Sequence, residues 1–265
     1  MSNPYLAKLD QLGFTWALAE VSGSTWLDHF GNHNGTIVGA TVQTDPATLD
    51  TWGFPPNAPA ALESDGIDDL VRVDHHADLQ PTSEVTVALW VRTFSGGTGD
   101  TEDWEGYITK SDSTFQLRRN AGNNLELTLS WDVRGGTGGD VAAGGSFSTD
   151  YQLNVPRLVV ATYDGSQMRV MINDDAGTMA TVLTASRSGT IGEDASSDLA
   201  VFAQDNQGTL RRFLQARGAL PALAPVGVTL VQAQELYDAA FEEDTPDPPT
   251  HVRTIRSVSQ SGTLT

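Results

Sequence analysis

Four acidic side chains crowd one short stretch of the chain: Asp100, Glu102, Asp103 and Glu105. Paired carboxylates are the groups that cleave glycosidic bonds, and a retaining reaction needs a nucleophile and an acid about 5–5.5 Å apart. Carboxylates alternating along a strand converge in that way. Here the alternation is wrong, and the glycine-rich flanks from Ser95 to Gly106 place the group on a loop. No catalytic residue is assigned, and the chain is read as a non-enzyme. The histidines His29 and His33 flank Gly31, and His75 and His76 follow a strand-like run. A transition-metal site needs a further ligand and a defined scaffold, and neither is visible at this spacing. They are therefore expected to be solvated loop residues. No Gly-Xaa-Ser-Xaa-Gly elbow and no phosphate loop ending in Gly-Lys-Ser/Thr occurs, and cysteine is absent, which removes serine-hydrolase, nucleotide and thiol chemistry.

Recognition chemistry is better represented. A sugar offers both C–H faces and hydroxyls, so its site needs an exposed aromatic ring beside a few fixed polar groups. Trp104 and Tyr107 lie in or beside the acidic glycine-rich stretch, and Trp26 and Phe30 flank Asp28. Trp104, Tyr107 and Trp26 are the candidate ligand-binding residues. Trp16, Trp90 and Trp131 sit in strand-like runs and are assigned to the core.

The elements that must position these groups are strands. In Asn124 to Trp131 the residues Leu125, Leu127, Leu129 and Trp131 alternate with Glu126, Thr128 and Ser130, so one face should be packed and the other wet. Met168, Val170 and Ile172 alternate in the same way. Arg157 to Tyr163 is apolar on both faces and reads as a central strand covered twice. Between these lies Tyr163-Asp164-Gly165-Ser166, a hairpin turn in which Asp164 and Gly165 are both expected at positive φ. Many short strands at roughly ten-residue spacing indicate an all-β sandwich rather than a βαβ fold. One helix is expected, opened by the capping box Thr229-Leu230-Val231-Gln232 and continued by Leu236, Tyr237, Ala240 and Phe241.

The order of several segments resembles the LamG-like jelly roll of the concanavalin A-like lectin/glucanase superfamily. They are Phe14 to Glu20, Asp28 with Gly31-Asn32-His33-Asn34-Gly35-Thr36, Asp65-Gly66-Ile67-Asp68-Asp69, Val87 to Val91, Ala161 to Gly165 and Glu235-Leu236-Tyr237. The likeness runs from about residue 12 to residue 241. Arg211 to Leu220 departs from the usual closing strand and leaves its register open. The resemblance implies an antiparallel two-sheet β-sandwich with one short C-terminal helix. The division is an N-terminal segment at 1–11, the jelly roll at 12–244, and a Pro-rich linker with a tail at 245–265. The resemblance also implies a rim Ca²⁺ as the one cofactor, with Asp28, Asn32, Asp65 and Asp68 as its oxygen donors. Asp65 is alternatively a turn cap beside Gly66.

The formal net charge of −19 makes phosphate backbones and anionic bilayers poor partners. The opening residues show no secretion signal, and the longest apolar run, Ala219 to Val228, is about half a membrane span. The resemblance extends to accessory proteins of phage particles. The expected role is a non-catalytic protein of the virion surface, on tail or capsid, with a lectin-like domain for host glycans or proteins. The tail would hold it to other virion proteins. A cellular, extracellular lectin and a purely structural assembly protein stand as alternatives.

Overall fold

The computed structural model describes residues 3–31, 33–94, 104–120, 127–147 and 153–243. The strands β1 (Trp16–Ser22), β2 (Thr25–Asp28), β3 (Gly35–Val38), β4 (Thr41–Gln43), β5 (Ala61–Asp65) and β6 (Leu70–Val73) come first. Next are β7 (Val85–Thr93), β8 (Trp104–Thr109), β9 (Phe115–Asn120), β10 (Leu127–Val133), β11 (Val141–Phe147) and β12 (Arg157–Tyr163). The chain continues with β13 (Gln167–Asn173), β14 (Met179–Ser186), β15 (Leu199–Val201), β16 (Gln204–Asn206), β17 (Thr209–Arg211) and β18 (Gln215–Ala224). Helices α1 (Pro4–Gln11), α2 (Pro46–Trp52) and α3 (Leu230–Ala239) and a 3₁₀ turn, Ala77–Leu79, complete the described elements.

The strands form two antiparallel layers. One runs β11-β10-β9-β8-β15-β6-β3-β2-β1, and the other runs β18-β7-β12-β13-β14 with β5 and β4 beside β18. Strand β1 joins the layers: Trp16 and Ala17 pair with β18, and Val21 and Ser22 pair with β2. The seam between the layers holds Trp16, Trp26, Leu89, Leu117, Leu129, Trp131, Val159, Val170 and Ile172. Trp131 crosses that seam, its Nε1 donating to the Thr162 carbonyl at 3.0 Å, which satisfies the one polar atom of a buried indole.

Strand β12 is buried along its whole length, as its two apolar faces require. Its outer cover is a third layer. Leu158, Val160, Trp90 and Met171 pack against Tyr5, Leu9, Trp52 and Leu236, which come from the three helices. Only α3 was expected, and both bonds of its capping box form. The other two helices start on a signal that reading for apolar periodicity passes over, a capping residue followed by proline. Asn3 accepts from the Leu6 N–H ahead of Pro4 in α1, and Asp45 accepts from the Thr48 N–H ahead of Pro46 in α2. Tyr5, Leu6 and Leu9 of the segment before residue 12 pack into this second cluster.

One local expectation is corrected, and one open register is resolved. At the β12–β13 hairpin only Gly165 has positive φ. Asp164 instead uses its carboxylate, Oδ1 accepting from the N–H groups of Ser166 (3.0 Å) and Gln167 (2.8 Å). The departing segment ends in β18, which pairs with β5, β7 and β1 and contains a bulge around Leu220 at φ 52°. Residues 95–103, most of the expected Ser95–Gly106 loop, lie outside the described residues, as do 121–126, 148–152 and the tail from 244.

Candidate functional site

On β9 and β10 the alternation sends Leu117, Leu129, Trp131 and Val133 to the seam. Gln116, Arg118, Ser130 and Asp132 therefore share the opposite face. That face is not wet. All four side chains are buried, and Asp132 has no exposed surface. They are closed over by one another and by the chain around the β16–β17 hairpin. The Gly106 N–H donates to the Arg212 carbonyl at 2.9 Å, and a Cβ on Gly106 would stand 2.5 Å from the Ala203 oxygen. Glycine is the residue that permits this approach.

Hydrogen bonds hold the layer rigid. Asp132 accepts from Ser130 Oγ, Arg118 Nη2 and, at 2.7 Å, Arg134 Nη2. Asp112, in the β8–β9 turn, accepts from Gln116 (2.9 Å), Gln204 (2.8 Å), Arg212 (3.1 Å) and Arg211. Burial alone would raise the Asp112 carboxyl, but the bonds from Gln204 and Gln116 and the charges of Arg212 and Arg211 outweigh it and hold the pKa below the ordinary value. The guanidinium of Arg118 lies 4.3 Å from the centre of the Trp104 ring, within cation–π range. Trp104, Arg134, Asp112 and Arg211 retain partial solvent contact. They leave a ring and several fixed polar groups partly accessible on this face.

The other expected contact residues are placed elsewhere. Trp26 and Tyr107 are wholly buried. Trp26 Nε1 donates to the Ala19 carbonyl at 3.1 Å, and the Tyr107 hydroxyl meets Thr93 Oγ1 at 2.9 Å. Both are core residues, which corrects their assignment as surface contacts. For Trp26 the alternation of Thr25-Trp26-Leu27-Asp28 carries the signal, because Trp26 and Asp28 are the inward pair. Of the four acidic residues considered for hydrolysis, Asp100, Glu102 and Asp103 lie outside the described residues. Glu105 is on strand β8 rather than a loop, and it faces inward, 3.3 Å from Arg119 Nη1. Burial pushes its pKa up to about 7 against the opposing charge of Arg119. A soluble polysaccharide cannot reach it there.

Among the described residues the expected oxygen donors do not converge on one point. Asp28 is buried and organises its own loop, accepting from the N–H groups of Ala17 (3.0 Å), Phe30 (3.2 Å) and His33 (3.0 Å). Asn32 lies outside the described residues. Asp65 and Asp68 do meet, but with Asp69 in place of Asp28, and oxygens of the three lie within 4.8 Å of one another. Asp65 also caps its own turn, Oδ1 accepting from Ile67 N–H at 2.8 Å. Burial and the charges of Asp65 and Asp68 raise the Asp69 carboxyl, against a hydrogen bond from the Asp65 N–H. Three crowded carboxylates of this kind fit a hard divalent cation.

Lys110 belongs to no motif that the sequence displays. It is fully buried, with Nζ donating to the Ser197 carbonyl and standing 2.9 Å from His75 Nδ1. Burial lowers its pKa to about 8, while Asp198, Asp194 and Asp205 act in the other direction.

Two antiparallel layers around a single seam, with a polar, aromatic-edged outer face, define a lectin-type β-sandwich. A family model described as the concanavalin A-like lectin/glucanases superfamily matches residues 65–214. That is more than half of the chain, which belongs to this superfamily. Curated protein sequences yield no match. Among solved structures, the binding domain of Paraclostridial mosquitocidal protein 1 superposes with a TM-score of 0.63 at 12% identity, over 86% of this chain and 52% of that one. The receptor binding domain of botulinum neurotoxin D gives 0.60 at 11% identity, over 85% and 52%. The botulinum neurotoxin serotype D ligand binding domain, in complex with N-acetylneuraminic acid, gives 0.59 at 13% identity, over 89% and 52%. This chain spans about half the length of those structures, and at such identities the likeness is one of fold.

Proposed function

We propose that this chain is a non-catalytic, lectin-like recognition domain whose ligand is a cell-surface glycan. The observation that carries the reading is the partly exposed Trp104 ring, fixed 4.3 Å from the Arg118 guanidinium, on a face where Arg134 and Asp112 also keep partial solvent contact. The fold relatives lend support, since they are binding domains and one holds a sialic acid. Among the described residues no helix is long and apolar enough to cross a membrane, and the net charge of −19 disfavours nucleic acid. On a glycan array the protein is expected to bind a restricted set of sugars, and Trp104→Ala should weaken that binding at least tenfold, about 1.4 kcal/mol. Uniform silence across the array, or full binding by W104A, would remove the reading.

The proposed cofactor is Ca²⁺ held by Asp65, Asp68 and Asp69, where it would supply charge and rigidity to the turn between β5 and β6. Millimolar Ca²⁺ is expected to raise the melting temperature of the native chain and not that of Asp68→Asn. Equal shifts in both proteins would place any Ca²⁺ elsewhere.

The proposed setting is the surface of a phage particle, on tail or capsid, with residues 245–265 engaging other virion proteins. Its support is the resemblance to virion accessory proteins and the Pro246-Asp247-Pro248-Pro249 run that would separate a folded domain from an anchoring segment. Deleting residues 246–265 should leave the domain folded and abolish its incorporation. Normal incorporation of the truncated chain would dismiss the anchoring role.

A further inference from the structure

His33 is far in the chain from His76 and Asp78, yet the three meet, and His33 and Asp78 line a cleft of about 370 Å³ together with Thr15, Ala77, Pro81 and Pro225. His33 sits in the β2–β3 connection and is fixed from the core. Its N–H donates to Asp28 Oδ2 at 3.0 Å, and its carbonyl accepts from Trp16 Nε1 at 2.8 Å. His76 caps the 3₁₀ turn that carries Asp78. Asp78 Oδ2 lies 3.5 Å from His33 Nε2 and 3.2 Å from His76 Nδ1. The two imidazole rings stand 4.3 Å apart, centre to centre.

The decisive atom is His33 Nε2, which is buried and makes no hydrogen bond among the described residues. An unsatisfied buried nitrogen costs about 1–3 kcal/mol unless something binds it. Metal–ligand bonds of about 2.0–2.2 Å in a tetrahedron place neighbouring donors about 3.3–3.6 Å apart, close to the two separations from Asp78, with all three donors within 4.8 Å of one another. Two imidazoles with one carboxylate suit Zn²⁺, Co²⁺ or Ni²⁺ rather than the oxygen-seeking Ca²⁺. Asp78 and His76 are mostly exposed, with side-chain accessibilities of 65% and 52%, which leaves an entry path.

We propose that His33, His76 and Asp78 form a site for a divalent transition metal of the Zn²⁺ class, with a fourth position open to water or an incoming donor. Binding at His76 Nδ1 replaces the long 3.3 Å bond that this atom accepts from the Asp78 N–H. The metal would tie the β2–β3 connection to the β6–β7 connection, and it is independent of both the glycan reading and the Asp65–Asp69 cluster.

The test is titration of the chelator-stripped chain with Zn²⁺ by calorimetry and with Co²⁺ by visible absorption, near neutral pH. The expected result is one metal per chain, an intense tetrahedral Co²⁺ spectrum and no competition from Ca²⁺. Changes in outer-shell groups already cost 10–100-fold in affinity, so His33→Gln, His76→Gln and Asp78→Asn should each weaken binding on the order of 100-fold. His29→Gln and Asp68→Asn should bind like the native chain. The exposed positions of His76 and Asp78 keep the outcome readable if His33→Gln fails to fold. Absence of Zn²⁺ binding, its survival in H76Q and D78N, or its loss in D68N would overturn the proposal.

Discussion

Glu105 shows how far a residue's chemistry depends on the face it occupies. On a loop it would be an ordinary surface carboxylate, but on the inner side of β8 it is buried against Arg119 with its pKa near 7. A carboxyl whose folded pKa exceeds its unfolded value keeps its proton longer in the native state. Its stabilising effect is therefore complete below the unfolded pKa of 4.5 and is lost as pH rises through about 7. The loss amounts to at most about 3 kcal/mol. Chemical denaturation of the native chain against Glu105→Gln should show this slope between the two pKa values in the first and not in the second. Parallel curves would mean that Glu105 is ionised in the folded chain throughout. Tyr5 offers a second residue-scale test. Its hydroxyl is buried without a hydrogen-bond partner among the described residues, so Tyr5→Phe is expected to raise stability by about 1 kcal/mol. A melting temperature that falls instead would reveal a partner for that hydroxyl.

At the scale of elements, strands such as β13 were legible because they carry their own alternation, and β12 because it is apolar on both faces. Met168, Val170 and Ile172 face the seam as their spacing demands, and Trp16, Trp90 and Trp131 are core residues. Helices α1 and α2 were not legible from periodicity, since each is at most eight residues long and buries only two or three of them. Their signature is the cap and proline at the start. In α3 the box is complete, with Thr229 and Gln232 each bonding the other's backbone. Thr229→Ala should cost about 1 kcal/mol, measurable by denaturant unfolding. No loss would indicate that the packing of Leu236 and Ala240 alone maintains the helix. The glycine-rich run 135–145 is also less free than its composition suggests. Arg187 donates to the carbonyls of Gly135 (3.0 Å), Gly139 (3.2 Å) and Thr190 (2.8 Å) and so pins it beside β14.

For the whole molecule, the alternating pattern alone determined a β-sandwich with one seam, because side-chain direction in a strand follows from its period of two. Which strands become neighbours, and what covers each outer face, was decided only by tertiary structure. Alternation says that Arg118 and Asp132 leave the seam, yet it cannot say that Arg212, Gln204 and Trp104 close over them from distant segments. The same holds for His33 with His76 and Asp78, and for Asp69 joining Asp65 and Asp68 where Asp28 was expected. Side-chain direction is a local consequence of backbone geometry. Contact between remote loops depends on strand order, which arises from the packing of the entire chain.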